Sequence, residues 1–308
     1  MNLENERLQQ PEPSGSPPWS PCVSVTDRGL RVSMWATAIL LASGLFHLGL
    51  LAVLATGWDG PLSLRKPGLF GISAGLTAWS IAWLMTQLKP RRYDCLIANT
   101  LGVGLLLEVA LITLQYWRGV PSHFNHSTIL DASIELSMLG LILVVTAAIV
   151  YLSFRTRQLR PIESALALAI RGGMWLLALS CVLGILTTAL GEVSHAFGRP
   201  HEYWGQSGVL KFPHGVALHA IQYLPIIAWI AIWLRVPKPF QVVKGMLIGQ
   251  VVFLIYAVWQ TSQGRSRFDF DTTGAILLGV TAVAGVLPTL AILRASCLAA
   301  FARSNHSV

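Results

Sequence analysis

The sequence predicts an all-α integral membrane protein, a bundle of about eight transmembrane helices with both termini in the cytoplasm. Of its 308 residues, 54% are hydrophobic and only 12% are charged, and the mean hydropathy is +0.60. This composition is too apolar for an ordinary soluble domain. The apolar residues form long blocks without the alternation of a strand. Because lipid requires every backbone group to bond within its own segment, a helical bundle is the expected fold.

Eight apolar blocks reach the roughly 20 residues that a helix needs to cross a membrane. They are residues 33–57, 67–88, 94–117, 130–154, 166–191, 212–234, 240–262 and 273–294. Together they predict a transmembrane domain over residues 33–296. Residues 1–32, rich in proline, serine and glutamate, are expected to form a disordered cytoplasmic tail. Residues 297–308 are expected to form a second cytoplasmic tail.

Three of these predicted spans contain glycine or proline residues that affect helix packing or shape. Gly71 and Gly75 form a pair four residues apart in the second span, which predicts close helix packing there. Pro225 and Pro288 lie inside the sixth and eighth spans. Each removes a backbone donor and is expected to kink its helix.

Lysine and arginine residues predict the orientation. Fifteen of the 22 fall in the tails and even-numbered loops, whereas the odd-numbered loops hold Arg65, Lys66, Arg118, Arg199, Lys211, Arg265 and Arg267. The basic side of a multi-pass protein faces the cytoplasm, so we expect a plasma (inner) membrane protein with both termini inside. This bias explains the net charge of +8 without a nucleic-acid partner. The expected surroundings are the lipid bilayer.

Seven of the eight histidines fall on the predicted outer side. They are His47, His123, His126, His195, His201, His214 and His219, whereas His306 lies in the C-terminal tail. Ionisable side chains within spans usually serve a site, a relay or a partner. Their clustering on one side therefore suggests a shared site in the outer half of the bundle.

His47 and His219 are candidate metal ligands, because they lie at similar depth on the first and sixth spans. An axial pair of a b-type heme needs this arrangement. On a continuous sixth helix, His214, His219 and Gln222 fall within one sector facing the bundle. His214 is then a second candidate for contact with a cofactor. For His47 the alternative is a neutral side chain bonded to a neighbouring carbonyl.

Glu108 and Glu135 are candidate catalytic residues for handling protons or orienting a ligand imidazole. A carboxylate in hydrocarbon either stays protonated or finds a cationic or metal partner. Asp131, at the start of the fourth span, is equally suited to capping that helix. Arg65 and Arg118 at the outer boundary are candidates for pairing with heme propionates. Lipid phosphates explain Arg65 and its neighbour Lys66 about as well.

Three stretches of the chain resemble a family of largely uncharacterised bacterial multi-pass membrane proteins. They are residues 65–71 (RKPGLFG), 117–125 (WRGVPSHFN) and 214–225 (HGVALHAIQYLP). That resemblance covers roughly residues 33–234 and implies no activity. A looser likeness is to heme A synthase, an eight-span protein with histidines in the outer halves of its helices. The glutamate-rich histidine motif of that family has no counterpart here.

Three functions remain open from the sequence. The first is a membrane oxidoreductase or electron-transfer protein with heme b, or alternatively iron, copper or zinc, acting with a quinone or another lipophilic small molecule. The second is a transporter, sensor or assembly factor whose polar cluster binds a proton or ligand. The third is a zinc-dependent lipid hydrolase, since Ser43 and His47 resemble the serine–histidine spacing of the ceramidase and adiponectin-receptor superfamily. Its late histidine pair, however, is spaced one residue closer than His214 and His219.

Overall fold

The computed structural model describes residues 28–55, 57–58, 60, 62–269 and 271–304. The helices are α1 (Arg28–Leu54), α2 (Arg65–Gln87), α3 (Asp94–Trp117), α4 (Ile129–Arg155), α5 (Ser164–Ala196), α6 (Lys211–Leu218), α7 (Ala220–Trp233), α8 (Pro239–Ser262) and α9 (Thr272–Ser304). Among these residues there are eight helical stretches long and apolar enough to cross a membrane, α6 and α7 together forming one of them. The predicted all-α class and the predicted number of helices long enough to cross a membrane are therefore confirmed.

The helices at the two chain ends are longer than the apolar blocks that predicted them. α1 begins at Arg28, inside the segment expected to be a tail, and residues 1–27 of that segment lie outside the described residues. α9 continues to Ser304, inside the expected C-terminal tail. Hydropathy identifies only the apolar part of a helix. The backbone hydrogen bonds of the helix can continue into the polar residues on either side of that part.

The sixth span is interrupted, which corrects the prediction of a continuous helix. α6 ends and α7 begins at His219, whose φ of −94° and ψ of 7° depart from the helical region. Gln250 of α8 compensates for the break: its side-chain amide donates to the carbonyl of Val216 and accepts the Tyr223 hydroxyl at 2.7 Å. A polar side chain from a neighbouring helix thus satisfies a backbone carbonyl that the break has freed.

α1 and α2 pack against each other through glycines. α1 crosses α2 where Gly44 meets Gly71, and a Cβ atom on Gly71 would lie 2.8 Å from the Gly44 Cα. Gly75 faces α1 as well, against the side chain of Leu41. The close packing predicted from Gly71 and Gly75 is therefore confirmed. α5 lies at the centre of the second half and packs against α4, α6, α7 and α8.

One end of the bundle, which we call the basic end, carries the α2–α3 and α4–α5 loops. The buried guanidinium of Arg155 binds the Asp94 carboxylate at 2.7 Å and the Lys89 carbonyl at 2.6 Å. A β-bridge joins Leu88 to Leu159. Side-chain and backbone bonds therefore fasten these two loops together.

The opposite end, which we call the loop end, carries the connections before α2, α4, α6 and α9. The α5–α6 loop forms a short antiparallel pair of strands, β1 (Tyr203–Trp204) and β2 (Gly208–Val209). No strand was predicted, because two-residue strands leave no periodic signal in a sequence. Close approach of Gly205 to Gly264 joins this hairpin to the α8–α9 loop.

Candidate functional site

Polar side chains concentrate at the loop end, where the start of α2, the α3–α4 loop, the start of α4 and the end of α5 meet. We call this group the loop cluster and define it as Lys66, His123, His126, Glu135 and Glu192. Below it, Glu108 lies within the bundle on α3, nine residues from the helix end at Trp117. At 1.5 Å per residue that is a depth of about 14 Å.

Glu108 is a buried carboxylic acid with an unsatisfied oxygen. Its residue is only 8% exposed, and Oε2 has no hydrogen-bond partner. It shares a face of α3 with Ile112, one turn closer to the loop end. Lys66 of α2 is within its electrostatic reach. A buried oxygen without a partner is costly, so this site is poised to bind a proton or a donor group.

Lys66 and His123 contact each other at the loop end. The Lys66 Nζ lies 3.3 Å from Nδ1 of His123, and the Ser122 hydroxyl lies 3.0 Å from the same nitrogen. Because an ammonium group only donates, Nδ1 must accept and His123 is neutral. Burial, reinforced by the positive charge of Lys66, lowers the pKa of His123 from 6.5 to about 3.

A narrow crevice opens above Glu108 between α2, α3 and the α3–α4 loop. Its lining combines polar and apolar side chains and consists of Ser63, Lys66, Pro67, Ile112, Tyr116, Val120 and Ser122. Ile112 of this lining lies one helical turn from Glu108 on α3, on the side of the loop end.

Glu135 organises the α3–α4 loop. Its two carboxylate oxygens accept the backbone N–H groups of Phe124 at 2.7 Å and Asn125 at 3.0 Å. His126 Nε2 lies 3.3 Å from Oε2. Phe124 adopts a positive φ of 58°, an unusual conformation for a bulky residue. The hydrogen bonds that Glu135 accepts help to hold Phe124 in this conformation.

Arg118 forms an ion pair within the protein. Its guanidinium contacts Asp131 Oδ1 at 2.7 Å and the Gln115 side-chain oxygen. Asp131 also accepts the hydroxyl of Thr128, and the Thr128 oxygen accepts the Asp131 N–H, which caps α4. The capping residue of α4 is therefore Thr128 and not Asp131, whose carboxylate instead accepts bonds from Thr128, Gln115 and Arg118. The guanidinium of Arg118 thus joins the end of α3 to the start of α4. Its predicted pairing with a heme propionate stays a prediction.

His47 has a partner at each ring nitrogen. Nε2 accepts from the indole N–H of Trp117 at 3.2 Å, and Nδ1 lies 2.7 Å from the Ser43 carbonyl. Because the indole only donates, the proton of His47 belongs on Nδ1. The residue is 4% exposed. This is the arrangement of a neutral histidine bonded to a backbone carbonyl, one of the two alternatives that the sequence left open.

The other predicted cofactor contacts are dispersed. His219 is exposed at the junction of α6 and α7, so the inward-facing sector predicted for His214, His219 and Gln222 on a continuous helix is not observed. His214 Nδ1 lies 2.8 Å from the Ser180 carbonyl. The Arg65 guanidinium lies over the Trp58 ring. Of the residues predicted as catalytic or cofactor-binding, the structure brings only Glu135 into the loop cluster and places Glu108 below it. His123 and His126, from the predicted group of outer histidines, also lie in the cluster.

Sequence reasoning gave no role to Glu192 and did not anticipate the contact of Lys66 with His123. Both arise from tertiary packing. Glu192 lies near the end of α5 and meets Glu135 across 57 residues of sequence. His123 is 57 residues from Lys66. No spacing within one helix or loop could have signalled either pair.

Comparisons of the chain with protein-family models, with curated proteins and with solved structures found no match. The resemblance to bacterial multi-pass proteins and to heme A synthase therefore stays a prediction. What can be inferred of the function depends on the contacts described above.

Proposed function

We propose that the eight helices span a bacterial plasma (inner) membrane, with the basic end in the cytoplasm and the loop end outside. This orientation is supported by the excess of lysine and arginine at the basic end and in the tails. It would place the loop cluster at the outer surface and Glu108 within the hydrocarbon region.

Within that membrane, the chain acts as a proton-coupled transporter or sensor in which Glu108 carries the proton. The observation that supports this most directly is the unpartnered Oε2 of Glu108 in a buried position. A carboxyl group held for structure is expected to have its oxygens bonded, as those of Glu135 and Asp131 are. A carboxyl group that exchanges protons needs an oxygen that is free to gain and lose one.

In this proposal the crevice would be the route to Glu108 from outside. Lys66 and Ser122 contribute polar groups to its lining, together with Ile112, which lies one helical turn from Glu108. Movement of Ile112 would bring Glu108 into connection with Lys66. Proton release towards the loop end would then follow from a small side-chain displacement.

The interrupted sixth span supports transport in particular. His219 lies eight residues from the start of α6, a depth of about 12 Å that is close to that of Glu108. Interrupted helices near the middle of a membrane are typical of transporters, where freed backbone groups contact the cargo. Gln222, beside the break, keeps a buried side-chain oxygen without a partner and reaches Thr77 of α2, 3.5 Å away.

The oxidoreductase and hydrolase hypotheses receive less support from the geometry. An axial bond from His47 Nε2 to heme iron would have to displace the indole of Trp117. His219, the second predicted ligand, is exposed on another part of the bundle. In the hydrolase hypothesis His47 would activate Ser43, but its Nδ1 proton is directed at the Ser43 carbonyl, with the hydroxyl more distant at 3.4 Å.

Infrared difference spectroscopy of the full chain in nanodiscs tests the role of Glu108. A pH step should produce a carbonyl-stretch band from a carboxyl group gaining a proton in an apolar setting, and Glu108→Gln should remove that band. Glu163→Gln is the matched control, because Glu163 is exposed at the basic end. It should leave the band unchanged.

Two results would contradict the proposal. The first is a band that survives in the Glu108→Gln protein. The second is purified wild-type protein that carries stoichiometric heme and loses it on His47→Ala, since this would favour the oxidoreductase.

A further inference from the structure

Three side chains of the loop cluster meet in an arrangement that the proton-coupled function does not use. His126 from the α3–α4 loop, Glu135 from α4 and Glu192 from α5 place one ligand atom each within 4.8 Å of the other two. His126 is exposed, and Glu192 is partly buried. The site is therefore accessible from water at the membrane surface.

The two carboxylates have no lysine or arginine in direct contact. Among the described residues, none forms an ion pair with Glu135 or Glu192, although Lys66 is within electrostatic reach of Glu135. The imidazole of His126 lies 3.3 Å from Glu135. Two carboxylates at this separation repel each other by about 1 kcal/mol in water, and by more where water is excluded. A bound cation would convert this repulsion into attraction.

Glu135 is already oriented as a metal ligand usually is. The N–H groups of Phe124 and Asn125 each occupy one lone pair on its two oxygens. Each oxygen keeps further acceptor capacity, and the carboxylate plane is fixed. Outer hydrogen bonds of this kind hold ligands in place and strengthen metal binding.

We propose that His126, Glu135 and Glu192 bind a divalent transition-metal ion, with Zn²⁺ or Mn²⁺ as the expected class. An imidazole with two carboxylates suits these ions, whereas Mg²⁺ and Ca²⁺ prefer oxygen ligands alone. Tetrahedral ligands at about 2.0–2.2 Å from zinc lie about 3.3–3.6 Å apart. The pair formed by His126 and Glu135 already has this separation. Only Glu192, within 4.8 Å of both, has to move inward, by up to about 1.5 Å.

The bound ion would fasten the α3–α4 loop to α4 and α5. Phe124 in that loop packs its ring against His201, with ring centroids 4.3 Å apart, and Gly191 provides the space for it. Closing the triad would therefore stabilise the contact between the two largest loops of this end. With three protein ligands, the ion keeps at least one position open to water or to a solute.

Isothermal titration of the full chain with Zn²⁺ tests the site. The protein is placed in nanodiscs, carries no polyhistidine tag and is stripped with a chelator beforehand. We expect one Zn²⁺ per chain, with affinity reduced at least about tenfold by Glu192→Gln or by His126→Ala. Glu202→Gln is the matched control, because Glu202 lies in the adjacent loop outside the triad. This variant should bind Zn²⁺ as the wild type does.

Thermal unfolding distinguishes lost binding from lost folding. Zn²⁺ should raise the unfolding temperature of the wild type but not that of Glu192→Gln, while both melt alike in chelator. Glu135→Gln is less diagnostic, because that residue also holds the loop backbone. The proposal is overturned if the wild type binds no Zn²⁺, or if Glu192→Gln binds it normally. It is also overturned if Mg²⁺ or Ca²⁺ competes equally with Zn²⁺. None of these outcomes depends on whether Glu108 carries a proton.

Discussion

The indole N–H of Trp117 donates to Nε2 of His47 over 3.2 Å, which joins the loop-end turn of α3 to α1. Since the same imidazole bonds the Ser43 carbonyl, both of its nitrogens are satisfied in a buried position. The bond also fixes the tautomer. His47 is consequently a structural element of the contact between α1 and α3.

Trp117→Phe should destabilise the fold by about 1–3 kcal/mol, because it leaves a buried acceptor on His47 unpaired while most of the ring area is kept. Chemical unfolding in detergent, followed by circular dichroism, measures the difference. Trp204→Phe, in the exposed hairpin of the α5–α6 loop, is the control and should change the stability little. Equal stability of the two variants would mean that the indole bond contributes nothing.

Acidification should weaken the loop end through His123. Its pKa is about 3 in the folded protein, against an ordinary value of 6.5. Between these values the unfolded chain binds a proton that the folded chain does not. Stability from this residue is therefore complete above pH 6.5 and is lost as the pH falls, by at most about 1.4 kcal/mol per pH unit.

Unfolding temperatures measured between pH 7 and pH 5 check this expectation. His123→Gln keeps an acceptor for Lys66 but does not titrate, so its unfolding temperature should fall less over that interval than that of the wild type. His195→Gln, at an exposed position on the same end, should retain the wild-type slope. Parallel slopes for the wild type and His123→Gln would show that His123 is not held neutral.

Removal of Arg118 should destabilise the start of α4. The Asp131 side chain is 3% exposed and that of Arg118 is 30% exposed, so Arg118→Ala leaves a buried carboxylate with reduced compensation. Screening by solvent lowers the usual effect of breaking a buried pair to about 1–3 kcal/mol. A double-mutant cycle with Asp131→Ala isolates the coupling. Arg199→Ala, in an exposed loop, should have little effect, and additive single changes would refute the coupling.

Gly71→Ala should separate α1 from α2. A Cβ atom there would lie 2.8 Å from the Gly44 Cα and 2.9 Å from the Leu40 carbonyl oxygen. These are backbone atoms that cannot rotate away, so we expect a loss of about 1–3 kcal/mol. Gly140→Ala is the control, since a Cβ on Gly140 meets nothing within 4 Å. Unfolding by denaturant compares the two, and a neutral Gly71→Ala would contradict the close crossing.

Hydropathy predicted most of the fold because a span is a local property of about 20 residues. Gly71 and Gly75 were identified as a helix-packing pair for the same reason, because their spacing lies within one helix. The interruption at His219 was missed because Pro225, the residue expected to kink this span, lies six residues away inside α7. It is stabilised by Gln250, which lies on another helix, so only tertiary structure reveals it.

The sequence predicted that polar residues would form a site at the outer side, but it did not predict which residues contact each other there. Burial of Glu108 followed from its place in an apolar block. Helical geometry could not show that His47 faces Trp117, or that Glu192 approaches His126 and Glu135. The position of a residue along its helix gives only its depth in the bundle. Whether two residues can share a ligand depends on their full positions in space.

The bond between Arg155 and Asp94 has a mechanical consequence for the rest of the bundle. This bond fastens the α2–α3 and α4–α5 loops to each other at the basic end. The basic end is therefore the fixed end about which the attached helices would tilt. α3 has 24 residues and is about 36 Å long. A tilt of about 5° about the fixed end would move its far end by about 3 Å, approximately the width of a water molecule.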